Sequence, residues 1–571
     1  LVFFLSPLLK DPRSCIAPYY VHSCHPFGLY SLSHNFLLLA SQESSADMFF
    51  VHLSAAFAYA NLKLRHFASY SRRFPRFFCS LFYPLHSLYT ALISKLSFFW
   101  IQLLYLPCVS LLGFLVLKMT GGVQPPYTKL DLFFTSVSAS TSSGLSVIEM
   151  EVFSNKQLIA ITAIMFFGEE VVVSILELAF RMSKLLHSKD NTEKNVQLRV
   201  YSHNSEEFVA DPEKVVIPSS LTAEQSLIYS AYKTLIFVIA SYLLALHLVG
   251  LLFVGLYVLR DGGIRELLKQ KHLRSFTFAA FTVTSTFSNC GFLPNNENMV
   301  AFRKEPGLLL LLTPLIFLGN TLYAPMLRFV VWCLEKVTRR NVFKYILSER
   351  QETGFTHLFS GYHSRLLLAT AMAILSGQIV LFCALDWHSS ALAGMTGIEK
   401  LIGSLFQAAN SRHTGESIVD MSILSPATIV IFLLTMYLPP YISFSPTVQD
   451  GESRRKNNLT LVERLSLSNV AYVIIFVTII CITEAESIKK DPLNFSILFI
   501  VLEIVSAYGN VGFSAGYSCQ RQLVPDGFCR SVTYGLAGKW TRKGQIVLIL
   551  IMLFGRYKRY NFRAGRAWRF N

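Results

Sequence analysis

The chain has 571 residues, 52% hydrophobic and only 15% charged, with a mean hydropathy of +0.44 and a formal net charge of +16. Soluble domains carry about 25% charged residues, so this composition excludes an ordinary soluble enzyme and a disordered chain. On so apolar a chain the basic excess points to the flanks of membrane spans rather than to nucleic acid.

The first residues, Leu1–Leu9, are apolar but lack a preceding basic region and a small-residue cleavage site, so they are not read as a signal peptide. Met48 is the expected start of translation. Six uncharged stretches come next, each near or above the roughly 20 residues that cross a bilayer as a helix: Leu96–Leu117, Thr234–Leu259, Pro306–Leu327, Leu366–Leu385, Met421–Gln449 and Leu465–Thr483. Two more are apolar but interrupted: Gln157–Phe180 holds Glu169, Glu170 and Glu177, and Gly544–Gly555 runs into Arg556, Lys558 and Arg559. The expected fold is an all-α integral membrane protein with eight transmembrane helices.

Orientation comes from the flanks. Lys63, Arg65, Arg72, Arg73, Arg76 and Lys95 precede the first span, and Arg556 to Arg569 follow the last with no nearby acid. Both ends therefore read as cytoplasmic. The basic loop Arg260–Arg274 fits poorly, since it falls outside in this topology.

Between paired spans lie apolar segments too short to cross: Leu130–Ser143, Phe276–Cys290, Leu401–Thr414 and Leu493–Val511. A short segment of this kind can be re-entrant. Span, short segment, span recurs four times, an internal repeat. The expected organisation is an N-terminal segment 1–89, repeat 1 at 90–184, a linker at 185–224, repeat 2 at 225–334, a linker at 335–363, repeat 3 at 364–449, a linker at 450–464, repeat 4 at 465–559 and a basic tail at 560–571. The linkers are expected to be cytoplasmic.

Aligned on a glycine, the four short segments read FTSVSASTSSG ending at Gly144, FTVTSTFSNCG ending at Gly291, LFQAANSRHTG ending at Gly415 and LEIVSAYGNVG ending at Gly512. Each starts with Phe or Leu, has a small residue six before its glycine (Ser138, Ser285, Ala409, Ser506) and a polar one two before it (Ser142, Asn289, His413, Asn510). A cation filter asks for this pattern. A half-helix must stop at mid-membrane with its carbonyl end toward the axis. Extended backbone must then replace the ion's water with carbonyl oxygens, and glycine permits the positive φ and close approach this needs. The filter glycines are thus Gly144, Gly291, Gly415 and Gly512, flanked by Ser143, Asn289, Cys290, Thr414, Asn510 and Val511, with K⁺ or Na⁺ on the glycine carbonyls.

Ten cysteines are scattered with no CxxC pair and no metal-ligand cluster. Cys519 and Cys529 lie close enough for a local disulfide if their loop is extracellular; free thiols are the other reading. Asn458 and Asn494 fit the glycosylation pattern, and both are expected to be unused.

The stretch Leu130–Asn155 resembles the first pore loop of the plant high-affinity potassium transporters, the HKT family of the Trk/Ktr/HKT superfamily. SNCGF at Ser288–Phe292, GNTLYAP at Gly319–Pro325, NSRHTGE at Asn410–Glu416, YGNVGFSAGYSC at Tyr508–Cys519 and MLFGRYKRYN at Met552–Asn561 resemble its later landmarks. The resemblance covers roughly Thr90 to Arg559. It implies four pseudo-repeats around a central cation pore, one filter residue per repeat, a homodimer with one pore per subunit, and a plasma-membrane location. It also implies that serine at the first filter position goes with sodium-selective members and glycine with members that pass potassium. SSGLS at Ser142–Ser146 stands where VSSMS is the common form, so Gly144 implies the all-glycine, potassium-permeable subclass.

Further residues carry two readings each. Glu170 matches the family's usual acid after a Gly-Gly pair, with Glu169 the departure; an ion-path role and helix–helix pairing both stand. In the superfamily a basic side chain in the last span constricts or screens the pore, which makes Arg542, Lys543 and Arg556 candidates. Gln545 replaces the basic residue usual after Gly544, and the plainer reading of Arg556 is a cytoplasmic anchor. Arg412 beside the third filter needs a partner, for which Glu416 and Asp420 are at hand. Pro439 and Pro440 break the third inner helix, which in the superfamily gates from below; a simple kink is the alternative.

The leading functional expectation is therefore a K⁺ and Na⁺ transporter needing no cofactor beyond its ions, with the lipid bilayer as its surroundings and no nucleic-acid partner. A sodium-selective uniporter is the rival. An intramembrane hydrolase is remote: no HExxH or GxxxxGK[ST] occurs, and GFSAG (Gly512–Gly516) overlaps the fourth filter window instead of a strand-to-helix turn.

Overall fold

The computed structural model describes residues 98–121, 127–203, 223–348, 355, 357–439, 441, 469–523, 529–532 and 534–561. Two compact units divide the chain. The first, Leu1–Leu96 with Leu186–Asn191, lies almost wholly outside the described residues; the second, Ser97–Leu185 with Thr192–Asn571, contains all four of the glycine-ended short segments. The expectations for Leu1–Leu9, Met48, the basic residues before the first span, Pro440, the linker 450–464 with Asn458, and the tail beyond 561 fall outside the described residues.

Repeat 1 consists of α1 (Phe98–Met119), α2 (Lys129–Ser140) and the bent pair α3 (Asn155–Gly168) and α4 (Glu170–His203). Repeat 2 comprises α5 (Ala223–Arg260), a short α6 (Gly262–Gln270), α7 (Ser275–Ser288), and the pair α8 (Pro306–Leu318) and α9 (Tyr323–Thr338); α10 (Asn341–Ser348) lies beyond it. Repeat 3 has α11 (Gly361–Asp386), α12 (Gly397–Asn410) and α13 (Pro426–Tyr437). Repeat 4 has α14 (Asn469–Thr483), α15 (Ala485–Lys490), α16 (Ile497–Gly509) and α17 (Arg542–Asn561). No strand occurs among the described residues, only an isolated bridge between Tyr517 and Val532.

Among the described residues, three helices are long and apolar enough to cross a membrane alone, within α1, α5 and α11. Two more crossings are bent pairs: α3 with α4, turned by 51° at Glu169, and α8 with α9, turned by 82° over Gly319–Leu322. The third inner helix, expected over Met421–Gln449, is only 12 residues long and stops at Tyr437, before the prolines. The last helix is longer than its apolar stretch, with 20 residues from Arg542. The first linker is helical at its start, because α4 runs on to His203.

Capping residues set where each helix starts. Thr128, Ser154 and Thr396 close capping boxes with Asp131, Gln157 and Glu399 at the N-termini of α2, α3 and α12. The outer helix of each repeat also holds the start of its inner helix. Asp386 at the end of α11 accepts from Ser425 N–H at 3.1 Å and from Thr428 Oγ1 at 2.5 Å. Glu484 just past α14 accepts from Thr541 N–H at 3.1 Å and Thr541 Oγ1 at 2.6 Å. In repeat 2 Tyr257 donates to Glu305 at 3.1 Å, and in repeat 1 Gln157 Nε2 donates to Leu117 O at 3.3 Å.

The repeats close into a ring. α2, α7, α12 and α16 each pack against the outer helix of their own repeat. Each inner helix then packs on the short helix of the next repeat: α3 on α7, α8 on α12, α13 on α16, and α17 back on α2. The four glycine-ended segments lie within this ring, buried by neighbours on both sides. Large apolar side chains stay exposed on the outer helices, among them Leu112, Phe237, Leu244 and Val380, a surface suited to lipid rather than water.

A clasp ties repeats 1 and 2 on the filter side. Lys271 Nζ lies 2.6 Å from both Glu151 Oε1 and Glu297 Oε2. Partial burial acts to raise the Glu297 carboxyl, but the Lys271 hydrogen bond and charge outweigh it and hold that group below its ordinary 4.5. For Lys271, burial acts downward and the two carboxylates outweigh it, so the ammonium is held above 10.5. Glu297 then stabilises the fold above pH 4.5 and loses this on acidification through its lowered value. Lys271 contributes below pH 10.5 and loses this on alkalinisation. Thermal melts of the purified protein should show a small loss of Tm below pH 4.5, and Lys271→Ala should remove that part of the pH dependence. An unchanged acid limb in the variant would refute the clasp.

Candidate selectivity filter and the charges beneath it

The four glycines form a closed ring. All have positive φ: +67° at Gly144, +83° at Gly291, +74° at Gly415 and +108° at Gly512. A Cβ on Gly144 would lie 1.9 Å from Cys290 O, and one on Gly291 1.8 Å from Thr414 O. On Gly415 it would lie 2.3 Å from Val511 O, and on Gly512 3.0 Å from Ser143 O. Each glycine thus faces the carbonyl just before the next glycine, and the fourth returns to the first. The flanking residues Ser143, Cys290, Thr414 and Val511 supply those carbonyls. With no room for a side chain, backbone lines this ring, an arrangement able to replace part of a cation's water.

The helices leading into the ring end in a shared way. The N–H groups of Ser143, Cys290 and Val511 donate back to the carbonyls of Ser138, Ser285 and Ser506 at 2.8–2.9 Å. Ser142, Asn289 and Asn510 are left-handed, with φ of 52°, 57° and 48°. Asn289 and Asn510 are thus left-handed helix C-caps, a turn that Asn tolerates, while Ser142 is left-handed one residue beyond the cap Thr141. The Asn side chains add a second tie: Asn289 Nδ2 donates to Ile316 O at 3.1 Å, and Asn510 Nδ2 to Met552 O at 3.0 Å and Ser143 Oγ at 2.7 Å. The third repeat departs from this. His413 has no positive φ, and its ring sits between Ala409 O at 2.8 Å and Thr321 Oγ1 at 2.7 Å.

Three further glycines, which no pattern along the chain marks as supporting the filter, bring the inner helices against these ends. A Cβ on Gly168 would lie 2.1 Å from Ser140 O, on Gly319 1.8 Å from Phe287 O, and on Gly555 2.2 Å from Tyr508 O. Each carbonyl is four residues before the glycine of its own repeat's window. Gly168, Gly319 and Gly555 stand inside the GEE, GNTL and FGRY strings, but unequal loop lengths hide their equivalence in the sequence.

Beneath the ring the charged residues sort differently from expectation. Arg556, read as a cytoplasmic anchor, is only 1% exposed, and its Nη2 donates to Gly168 O at 2.6 Å, at the bend of the first inner helix. It is buried because its side chain reaches that bend from α17. Glu169, at the bend itself, is 1% exposed with neither carboxylate oxygen hydrogen-bonded; His247 Nε2 is 3.8 Å away. Glu170 accepts from Tyr441 OH at 2.8 Å and lies 3.1 Å from His357 Nε2, both of them outside the helices.

Arg412 pairs with neither expected acid. Its Nη2 donates to Pro439 O at 2.6 Å, while Asp420 accepts from Ser422 and Glu416 from Thr286. Arg542 and Lys543 begin α17 and are exposed at the helix end away from Arg556, so the structure does not bring them to the ring. Cys519 and Cys529 are disulfide-bonded. Asn494 is fully buried and bonded to Asp491 and Ser518 O, which leaves no room for a glycan. Ser514 donates to Glu503 and has no histidine beside it, so GFSAG is not a nucleophile elbow here.

The model of the cation transport protein family TrkH matches residues 221–448 and 452–560. The chain is 41% identical to the probable cation transporter HKT1;4 of Oryza sativa subsp. japonica, over 81% of this chain and 96% of that one. It is 42% identical to the sodium transporter HKT1 of Arabidopsis thaliana, over 77% of this chain and 88% of that one. Among solved structures, that of the potassium transporter TrkH from Vibrio parahaemolyticus aligns with a TM-score of 0.46 at 14% identity, covering 82% of this chain and 84% of that one.

Proposed function

The chain belongs to the TrkH family of cation transport proteins, among its HKT members, and on that premise we propose that the ring Gly144–Gly291–Gly415–Gly512 is its selectivity filter and passes K⁺ as well as Na⁺. It is a multi-pass membrane transporter of monovalent cations and not an enzyme. The observation that carries the filter reading is the ring in which each glycine faces the carbonyl preceding the next, with no side chain at any of the four positions. Four bare positions leave a wide, even opening suited to the larger ion, whether size or field strength decides.

The rival reading, sodium selectivity, is favoured by the 42% identity to a protein named a sodium transporter. Two-electrode recording in oocytes with external K⁺ and Na⁺ exchanged separates the two. A reversal potential that follows both ions is expected; one that follows Na⁺ alone would overturn the potassium reading.

We propose a lower constriction at Arg556, Glu170 and the chain around Pro439: Arg556 bonds Gly168 O near Glu170, and Glu170 bonds Tyr441, two residues past Pro439. The membrane field, worth about 2.3 kcal/mol per charge per 100 mV, is proposed as the driving force, with no cofactor beyond the transported ions. Closure of α17 on α2 within one chain supports one pore per subunit, and a homodimer in the plasma membrane is the proposed assembly. The Cys519–Cys529 bond supports a filter mouth facing the oxidising side.

A further inference from the structure

Two carboxylates stand beside the ring without a cationic partner. Glu416 directly follows Gly415 and is 0% exposed. Its Oε1 accepts from Thr286 Oγ1 of the neighbouring repeat at 2.6 Å, its N–H donates to Asn410 Oδ1 at 3.2 Å, and its Oε2 has no hydrogen-bond partner. Glu503, nine residues before Gly512 in α16, is also 0% exposed. Its Oε1 accepts from Ser514 Oγ and from Leu536 N–H at 3.2 Å, and its Oε2 likewise has no partner. Neither forms an ion pair among the described residues.

The equivalent places in the other repeats are uncharged. Leu145, Phe292 and Phe513 match Glu416, and Thr135, Thr282 and Phe406 match Glu503. Acids therefore occupy two adjacent quadrants only. A buried carboxylate at membrane depth is costly unless a positive charge compensates it. Arg412, the nearest cation in sequence, is turned to Pro439 O. The compensating charge that the architecture brings to this place is the ion in the ring, and at low dielectric the attraction acts without contact.

We propose that Glu416 and Glu503 are the counter-charges of the filter, holding cations in the ring from behind and setting its affinity while the glycine carbonyls set its selectivity. This rests on the filter reading of the four glycines. The test is voltage clamp of the full chain in oocytes, with surface expression measured in parallel. Glu416→Gln and Glu503→Gln should each raise the half-saturating external K⁺ and Na⁺ at least threefold, and the double variant about tenfold. The K⁺/Na⁺ permeability ratio should change less than twofold.

Thr286→Val removes the hydrogen bond but keeps the charge, and should leave half-saturation within twofold of the parent. Unchanged half-saturation in surface-expressed glutamine variants overturns the proposal. So does Thr286→Val reproducing the Glu416→Gln shift, which would make Glu416 a brace. Should the glutamine variants not reach the surface, Glu416→Asp and Glu503→Asp keep the charge: parental half-saturation supports the proposal and a threefold rise overturns it. A failure of the filter reading looks different, since Gly144→Ser would then leave the permeability ratio unmoved.

Discussion

Gly144→Ser is expected to lower the K⁺/Na⁺ permeability ratio at least tenfold, about 1.4 kcal/mol of discrimination. Position 144 has φ of +67°, and an added Cβ would lie 1.9 Å from the Cys290 carbonyl oxygen. A left-handed φ disfavours any side chain with a Cβ, and that carbonyl has to turn away or the loop has to move. Either response narrows one quadrant and removes the evenness of the ring, which penalises the larger ion more. The measurement is the shift in reversal potential when external K⁺ replaces Na⁺, on cells with matched surface expression. An unchanged ratio would remove Gly144 from the filter.

Gly319→Ala should be among the most damaging single methyls in the described residues, with loss of most surface protein and current. Its Cβ would lie 1.8 Å from Phe287 O and 3.3 Å from Asn289 Nδ2, both at the end of the second filter helix. The first neighbour is backbone and the second is an amide held by the carbonyls of Thr286, Phe287 and Ile316, so the 82° break between α8 and α9 would have to open. Overpacking costs typically about 1–3 kcal/mol and more where nothing can yield. Gly377→Ala in α11 is the control, because nothing lies within 4 Å of its Cβ position. There the better helix propensity of alanine should be neutral or favourable by up to ~1 kcal/mol. Fluorescence-detected size exclusion and surface labelling distinguish the two. Equal behaviour would contradict the close approach at Gly319.

Much of this architecture was legible in the sequence because its signals are local. A run of some 20 uncharged residues has few fates other than a span, and a short apolar run between two spans has few fates other than a re-entrant helix. The four windows could be aligned because the ring of glycines needs the same small residue and backbone freedom in each repeat. The polar residue two before each glycine was visible as a pattern, though its left-handed turn at the helix end in three repeats was not.

What failed involved partners far apart in sequence. The neighbours Glu416 and Asp420 looked like natural partners for Arg412, yet the side chain reaches Pro439, 27 residues on. Arg556 looked like an anchor because it ends an apolar run, yet it bonds Gly168, 388 residues earlier. Gly168, Gly319 and Gly555 gave no common signal, since their equivalence lies in which carbonyl they approach.

The sequence by itself determined the membrane class, the four-fold repeat and the glycine that ends each of the four windows, for hydropathy, repeat spacing and backbone freedom are properties of the chain read in order. Only the tertiary structure decided which carbonyl each glycine faces, which inner helix closes the ring, and which buried charges stand unpaired beside it. Those depend on packing between repeats, where a distance of a few ångströms joins residues hundreds of positions apart and no pattern along the chain records it.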